Sequence, residues 1–310
     1  MMQGPNIAVD FAGIRLANPV FTASGTCGYA DELADLTDLR GLGGFITKSI
    51  TVLARQGNPP PRIVETDAGM LNAIGLANVG LDRFVDEKLP LLRKTGIPIF
   101  VNVAGATIED YVKVAERLAD ERSIAGLELN ISCPNVKKGG ICFGTDPRQV
   151  TEITAAIRQA APKKVLMVKL SPTVTDISVT ARAAVEAGAD ALSLVNTFTA
   201  MVIDVETRRP VLANRTGGLS GPAIRPIAVH LVNKVYNEVA KDRAIPILGL
   251  GGIRTAAHAL EFMIAGATAV AVGTGTFVDP GCAVKIVDGI KDYCSRHGIT
   301  DIRELVGSLE

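Results

Sequence analysis

The sequence predicts an α/β chain folded as one closed (β/α)8 barrel of the TIM type, and three observations carry that expectation. Eight short apolar runs rich in Val, Ile and Leu recur along the chain, and each is followed by a stretch with helical periodicity. The 310 residues exceed by only a few long loops the roughly 250 of a bare eightfold barrel, and are few for two independent cores. A single domain over residues 1–310 is the economical reading.

Taken in order, residues 6–10 and 14–17 alternate around Ala12-Gly13 and read as a hairpin that plugs the bottom of the barrel. The apolar runs lie at 19–24, 44–50, 97–104, 126–131, 165–171, 191–197, 245–251 and 269–273. They are continuously apolar, as strands covered on both faces of a parallel sheet must be. Helical patterns follow at 31–39, 81–94, 108–120, 147–160, 176–187, 222–239, 255–265 and 282–296. Thr107, Asp146 and Thr175 stand as N-caps, and Gly188 and Gly266 as C-terminal stops. An open doubly wound sheet is the competing arrangement of the same units. Three connections, 51–80, 132–146 and 198–221, far exceed the usual few residues and all leave C-terminal strand ends. That face of a barrel carries the chemistry, so these segments read as a lid of long loops over a pocket.

Composition narrows the function classes. Hydrophobic residues make up 47% and charged residues 21% of the chain, which argues against disorder and against a membrane class. Basic and acidic residues balance at 32 each with no long basic run, so no nucleic-acid footprint exists and a small-molecule partner is expected. Residues 1–10 lack the pattern of a secretory leader, and no apolar run reaches the length of a membrane span; a soluble, cytoplasmic protein is expected. The five cysteines, Cys27, Cys133, Cys142, Cys282 and Cys294, are odd in number, widely spaced and never C-x-x-C, which suits free thiols. No metal site or iron-sulfur cluster is expected on this chain.

Polar residues gather where the apolar strands end: Ser24, Lys48, Asn102, Asn130, Lys169, Asn196 with Thr197, Gly251-Gly252 and Gly273-Thr274. Any one amide could simply bond to loop backbone, but several strands converging on one rim suggest a ligand that pairs with these groups. The glycine segments 249–253 and 273–276 follow the last two strands, where barrels commonly bind phosphate, and neither completes the G-x-G-x-x-G of a dinucleotide site. Close helix-strand packing explains them equally well, and a phosphate-bearing cofactor such as FMN fits. Lys169 could place positive charge beside a flavin ring or serve as a Schiff-base nucleophile. Lys48 could meet a carboxylate or a ring carbonyl. Cys133 opens a glycine-containing loop, and a thiol whose unperturbed pKa is ~8.5 becomes a usable base in a modestly electropositive setting. The other four cysteines read as inert, and His230, His258 and His297 fall in helical patterns on the outer ring.

Across essentially its whole length the chain resembles the dihydroorotate dehydrogenase family, and within it the class 1B catalytic subunits. The resemblance runs through Ser24-Gly25, Thr47-Lys48-Ser49, the Asn72 to Asn78 segment, Asn102 to Gly105, Asn130-Ile131-Ser132-Cys133-Pro134-Asn135 and Val168 to Pro172. It continues through Asn196-Thr197, Leu212 to Pro222, Gly249 to Ile253 and Val272-Gly273-Thr274. Carried over, it implies FMN held by Ser24, Lys48, Ser49, Asn102, Asn130, Lys169, Val195, Gly221, Gly251, Gly252, Gly273 and Thr274. It implies dihydroorotate contacts from Lys48, Asn72, Ala73, Ile74, Gly75, Leu76, Asn130, Asn196 and Thr197.

Cys133 stands where the soluble class 1 enzymes of the family carry their base; class 2 enzymes have serine there and an N-terminal extension missing here. The loop from Asn135 to Asp146 resembles class 1B rather than the fumarate-reducing class 1A. The resemblance therefore implies a homodimer core within a heterotetramer, whose second subunit carries FAD and a [2Fe-2S] cluster and passes electrons to NAD+. A class 1A homodimer using fumarate, a Schiff-base lyase on Lys169 and a non-catalytic barrel are the alternatives.

Overall fold

The computed structural model describes residues 4–33, 35–131 and 143–310. It opens with a hairpin, β1 (Val9–Phe11) against β2 (Ile14–Leu16), turned by Ala12 and Gly13, both at positive φ (53° and 81°) as a tight two-residue turn requires. The Asp10 carboxylate accepts the Gly13 N–H at 2.9 Å and fixes the turn. Phe11 at its tip packs against Phe21 and Phe100, with ring centroids at 5.9 and 6.1 Å, so the hairpin is an aromatic stopper, as expected.

Eight strands close the barrel: β3 (Val20–Thr22), β4 (Gly44–Ile46), β7 (Ile99–Val103), β8 (Ile124–Asn130), β9 (Val165–Lys169), β10 (Ala191–Leu194), β15 (Ile247–Leu250) and β16 (Ala269–Val272). All pairings are parallel, and the ring closes where Val270 to Val272 pair with Val20 to Thr22. Every residue of β4, β7, β10, β15 and β16 is buried, which is why these runs show no alternation. All eight expected strands form, and the open sheet does not.

The helices form the outer layer: α1 (Leu81–Arg83) and α2 (Leu89–Arg93) joined by a π-type turn, α3 (Ile108–Ala119), α4 (Pro147–Ala160), α5 (Ile177–Glu186), α6 (Arg225–Val235), α7 (Ala256–Ile264), α8 (Gly275–Val278) and α9 (Cys282–Arg296). In α3, Tyr111, Val114, Ala115 and Leu118 recur at the spacing of one helix stripe and are wholly buried. Each such large side chain contributes about 1.5–3 kcal/mol by leaving water. A reciprocal capping box between Thr107 and Asp110 starts this helix, and Asp146 caps α4. Gly188 and Gly266, at φ 102° and 122°, end α5 and α7 as expected.

Four expectations need correction. The helix expected over 31–39 is absent: its described residues run as turns, and only Leu39–Gly41 makes a 3-10 turn, capped by Asp38. Ala30 sits at φ 74°, Asp31 is drawn to Lys88 at 2.5 Å, and Asp35, Thr37 and Asp38 are poor helix formers. The N-cap of α5 is Asp176, not Thr175; its carboxylate accepts from the Ser178 N–H at 2.9 Å and favours the positive helix end. The helical stretch over 222–239 is a 3-10 turn at Pro222–Ile224, then α6, then a π-type turn over Tyr236–Ala240.

The fourth concerns the lid. Segments 51–80 and 198–221 are not plain loops: they supply β5 (Ile63–Thr66), β6 (Gly69–Asn72), β11 (Phe198–Ala200) and β14 (Gly217–Ser220) to one antiparallel sheet ordered β11-β14-β6-β5. A further short pair, β12 (Ile203–Asp204) with β13 (Arg209–Pro210), forms a separate two-stranded sheet within 198–221. Leu71, Ala73 and Leu212 give this lid a small core of its own. Among the described residues, no helix is long and apolar enough to cross a membrane.

Candidate active site

Because β-strand register fixes which side chains lie level, the rim can be read from the pairing. Asn102 pairs with Glu128, Asn130 with Lys169, and Lys169 with Ser193. The Ser49 hydroxyl donates to Asn102 Oδ1 at 2.5 Å, and Asn102 Nδ2 donates to Glu128 Oε2 at 2.5 Å. Ser193 Oγ donates to Glu128 Oε1 at 2.8 Å. Asn130 Nδ2 reaches Asn102 Oδ1 at 3.5 Å, Asn196 Nδ2 reaches Asn130 Oδ1 at 3.3 Å, and the Thr197 N–H donates to Asn196 Oδ1 at 2.9 Å. Thus the amides expected at the site form one connected row, and Tyr111 supports it from α3 by donating to the Asn130 carbonyl at 2.7 Å.

Lys169 is only 5% exposed, and its Nζ donates to Ser24 Oγ at 3.1 Å. A buried ammonium satisfied by a neutral hydroxyl alone is costly, so this position suits an electron-rich ligand that supplies the missing acceptor. Lys48 is held below the ordinary lysine pKa by burial, with Arg62 adding to the effect and Glu32 opposing it. The loss of charge is favoured by desolvation, and a bound anion would reverse it.

Glycine geometry defines the opposite side of the rim. Gly251 and Gly252 have φ of 139° and 72°, and a Cβ on Gly252 would stand 2.6 Å from the Gly221 carbonyl oxygen. Gly221, at φ 97°, is itself pressed onto Gly69 of the lid sheet. Thr274 Oγ1 donates to Ser220 Oγ at 2.7 Å, which ties the end of β16 to the lid strand β14. Val195 is buried and donates its N–H to the Leu250 carbonyl at 3.0 Å.

The lid brings its own amide. Asn72, the last residue of β6, donates to the Gly218 carbonyl at 3.4 Å, and Gly218 lies so close to Thr197 that a Cβ there would meet Thr197 Oγ1 at 2.0 Å. Ala73, Ile74, Gly75 and Leu76 follow as a loop clasped by Asn58, which bonds to the Ala73 and Ile74 carbonyls at 2.9 and 3.0 Å. Gly75 and Leu76 hold this turn at φ 74° and 57°. Cys133 and Cys142 lie outside the described residues. Cys27, Cys282 and Cys294 are buried free thiols whose pKa values burial pushes up, which fits inert packing. His230 and His297 belong to α6 and the C-terminal cap of α9, while His258 lies in the first turn of α7, where its Nδ1 accepts the Arg254 N–H at 3.3 Å just past Gly252.

Sequence reasoning missed Glu128, Ser193, Tyr111, Ser220 and Asn58. Glu128 did leave a signal: it is a carboxylate in the middle of Gly126 to Ile131, a run whose other polar residue, Asn130, stands near its end. The others are residue types too common to single out without the fold.

A closed parallel barrel with its polar side chains gathered on the C-terminal rim has the architecture of the barrel enzymes. The family model for dihydroorotate dehydrogenase matches residues 6–294, and the chain belongs to that family. It is 54% identical over 309 residues to the Dihydroorotate dehydrogenase B (NAD(+)) catalytic subunit of Geotalea daltonii, covering all of both chains. The protein of the same description from Geobacter sulfurreducens is 53% identical over 309 residues, again covering all of both chains. A crystal structure of the Eimeria tenella enzyme in complex with ferulenol superposes with a TM-score of 0.79 at 24% identity, over 98% of this chain and 88% of that one, a likeness of fold.

Membership in this family implies a flavin cofactor, FMN, and the residues present fit it. Among the described residues the buried Lys169 has no anionic hydrogen-bond partner, the amides of the row offer both donors and acceptors, and a Cβ on Gly273 would make only ordinary contacts, with Ala23 Cβ at 3.4 Å and Thr26 Cγ2 at 3.7 Å, so packing does not demand a glycine there.

Proposed function

We propose that this chain oxidises (S)-dihydroorotate to orotate in the de novo route to UMP, as a single domain spanning residues 1–310. The observation that carries this reading is the full-length likeness to the catalytic subunits of the B type, at 52–54% identity. Those relatives are named for NAD(+), which supports an NAD-linked route for the electrons.

When bound, FMN would supply the acceptor for hydride from one ring carbon. Ser24, Lys48, Ser49, Asn102, Asn130, Lys169 and Val195 would hold its ring system, and Gly221, Gly251, Gly252, Gly273 and Thr274 its phosphate end. Lys169 would contribute positive charge that favours the anionic reduced ring. Asn72, Ala73, Ile74, Gly75 and Leu76 close over the substrate from the lid, while Lys48 meets its carboxylate and Asn130, Asn196 and Thr197 its ring. Fixing the ring on several directional contacts holds both reacting carbons in place, a gain in orientation rather than in raw affinity. Cys133 takes the proton from the carbon next to the carbonyl, a task within reach of a thiol in a modestly electropositive setting.

Electrons then leave through a second subunit bearing FAD and a [2Fe-2S] cluster, in a heterotetramer built on a homodimer of this chain in the cytoplasm. The word "subunit" in the relatives' names and the absence of a dinucleotide fingerprint in this sequence both support that division of labour.

The deciding experiment is an anaerobic visible spectrum of the FMN-loaded chain before and after dihydroorotate. Bleaching of the flavin band is expected. A spectrum unchanged by dihydroorotate rejects the substrate, and a chain that takes up no FMN rejects the flavin reading altogether. Turnover with fumarate as fast as with NAD+ and a reconstituted partner would reassign the acceptor.

A further inference from the structure

Glu128 is wholly buried on β8, between neighbours that are also buried. A carboxylate offers acceptors only, and both of its oxygens are taken, by Asn102 Nδ2 and by the Ser193 hydroxyl. Asn102 must therefore turn its Oδ1 away from Glu128, toward the Ser49 hydroxyl and Asn130 Nδ2. Asn130 is left with Oδ1 facing Asn196 Nδ2, and Asn196 with Oδ1 facing the backbone N–H of Thr197.

The row thus has a direction. One end is a group that can only accept and the other an N–H that can only donate, so both ends enforce the same orientation on the three amides between them. Turning any one amide over would set N–H against N–H on one side and oxygen against oxygen on the other. Side-chain amides are otherwise free to flip at little cost.

We propose that Glu128 is a positioning residue that fixes the polarity of this amide row, and thereby the donor and acceptor pattern that the rim offers to the pyrimidine ring. It touches neither ring nor flavin; it acts through Asn102. The role rests on the dihydroorotate activity proposed above, since it concerns how that ring is read. A ring meeting an N–H where it expects a carbonyl loses a contact and gains a repulsion, so the effect falls on ring affinity.

The test is calorimetric titration of the FMN-loaded chain with orotate, together with its flavin content. In Glu128→Gln the side chain keeps its volume but is no longer acceptor-only: because the Ser193 hydroxyl can either donate to its oxygen or accept from its N–H, the end facing Asn102 can be oxygen or N–H and no longer holds Asn102 in one direction. Flavin content is expected to hold while orotate binds at least about tenfold more weakly. The conservative variant Glu128→Asp loses a methylene but again places an acceptor-only group at this end of the row, so Asn102 keeps its direction. It is expected to hold the affinity to within about threefold of the unmodified chain. A buried group needed merely for packing predicts the reverse order, with the shorter Glu128→Asp worse than the volume-conserving Glu128→Gln.

A loss smaller than tenfold in Glu128→Gln, or one greater than threefold in Glu128→Asp, overturns the role. Should Glu128→Gln fail to fold or to keep FMN, Glu128→Asp decides alone by the same threefold limit. An unmodified, FMN-loaded chain that takes up no orotate is a different failure: it removes the dihydroorotate reading, and the role of Glu128 with it.

Discussion

Two glycines on the rim separate what the fold needs from what the cofactor needs. Gly252 has φ 72°, and a Cβ there would stand 2.6 Å from the Gly221 carbonyl oxygen and 2.9 Å from Arg225 Cβ. A left-handed conformation costs an L-residue about 1–2 kcal/mol, and pushing back a packed backbone adds about 1–3 kcal/mol. Gly252→Ala should therefore lose about 2–5 kcal/mol without any ligand, or roughly 4–10 °C in Tm for a chain of this size. Gly273 is outside the left-handed region, and its Cβ would meet only Ala23 Cβ at 3.4 Å and Thr26 Cγ2 at 3.7 Å. Gly273→Ala should leave the flavin-stripped protein within about 1 kcal/mol of its original stability.

If Gly273 is kept free of a side chain for the phosphate of FMN, a methyl group there displaces that phosphate. Charge-assisted hydrogen bonds are worth about 1.5–3 kcal/mol each, so FMN should bind at least about tenfold more weakly. Thermal melts of stripped protein and titration by flavin fluorescence read the two effects separately. Wild-type FMN affinity in Gly273→Ala would remove the end of β16 from the cofactor site. Equal loss of Tm in the two variants would show that both glycines serve packing alone.

Three more outcomes follow from the same rim. Cys133→Ala should keep FMN and slow flavin bleaching by dihydroorotate about 10²–10⁴-fold near neutral pH in anaerobic stopped flow. Cys142→Ala should not, and equal effects in both would take Cys133 out of its role. Lys169→Met should weaken FMN about tenfold or more, yet leave the stripped protein as stable or more stable, because it removes a buried charge whose only bonded partner among the described residues is a hydroxyl. A matching loss of apo stability would mean that the ammonium is already satisfied. Burial pushes the Tyr29 phenol up to about 12. Since that lies above its unfolded value near ~10, its contribution to stability is intact below pH 10 and is lost as pH climbs toward 12, by up to about 2–3 kcal/mol. Urea unfolding across that range should show the loss in the unmodified chain and its absence in Tyr29→Phe.

Much of the barrel was legible because both of its signals are local. A strand covered on two faces must be apolar throughout, and an outer helix must repeat its buried residues every three or four positions. The rim residues from Ser24 to Thr274 were legible for a related reason: a polar group that ends an apolar run has little to bond to except a ligand or a neighbour. What escaped was decided by distant partners. No local pattern marks β6 and β14 as strands, since Gly69–Asn72 and Gly217–Ser220 pair only with each other and with β5 and β11. The missing helix after β3 was a misreading of scattered apolar residues, overridden by Ala30 and by acidic residues drawn into other bonds. Glu128 was passed over because its partners, Asn102 and Ser193, come from two other strands.

The lid sheet is stitched from two insertions whose central contact, Asn72 with Gly218, spans 146 positions of sequence. Each insertion supplies one two-stranded pair, β5 with β6 and β11 with β14, and the two pairs meet edge to edge only once β4 and β10 occupy their places in the ring. Order of assembly follows from this: on a chain emerging from synthesis, the hairpin made first waits without its partner hairpin until most of the barrel exists. The four-stranded lid is then the last part to form and the first to open, since it can part along β6 and β14 without disturbing the barrel core. A cut in the 51–80 segment of the finished protein would strand the other half of the sheet while leaving the ring closed. Such a nick should silence the enzyme long before it unfolds it.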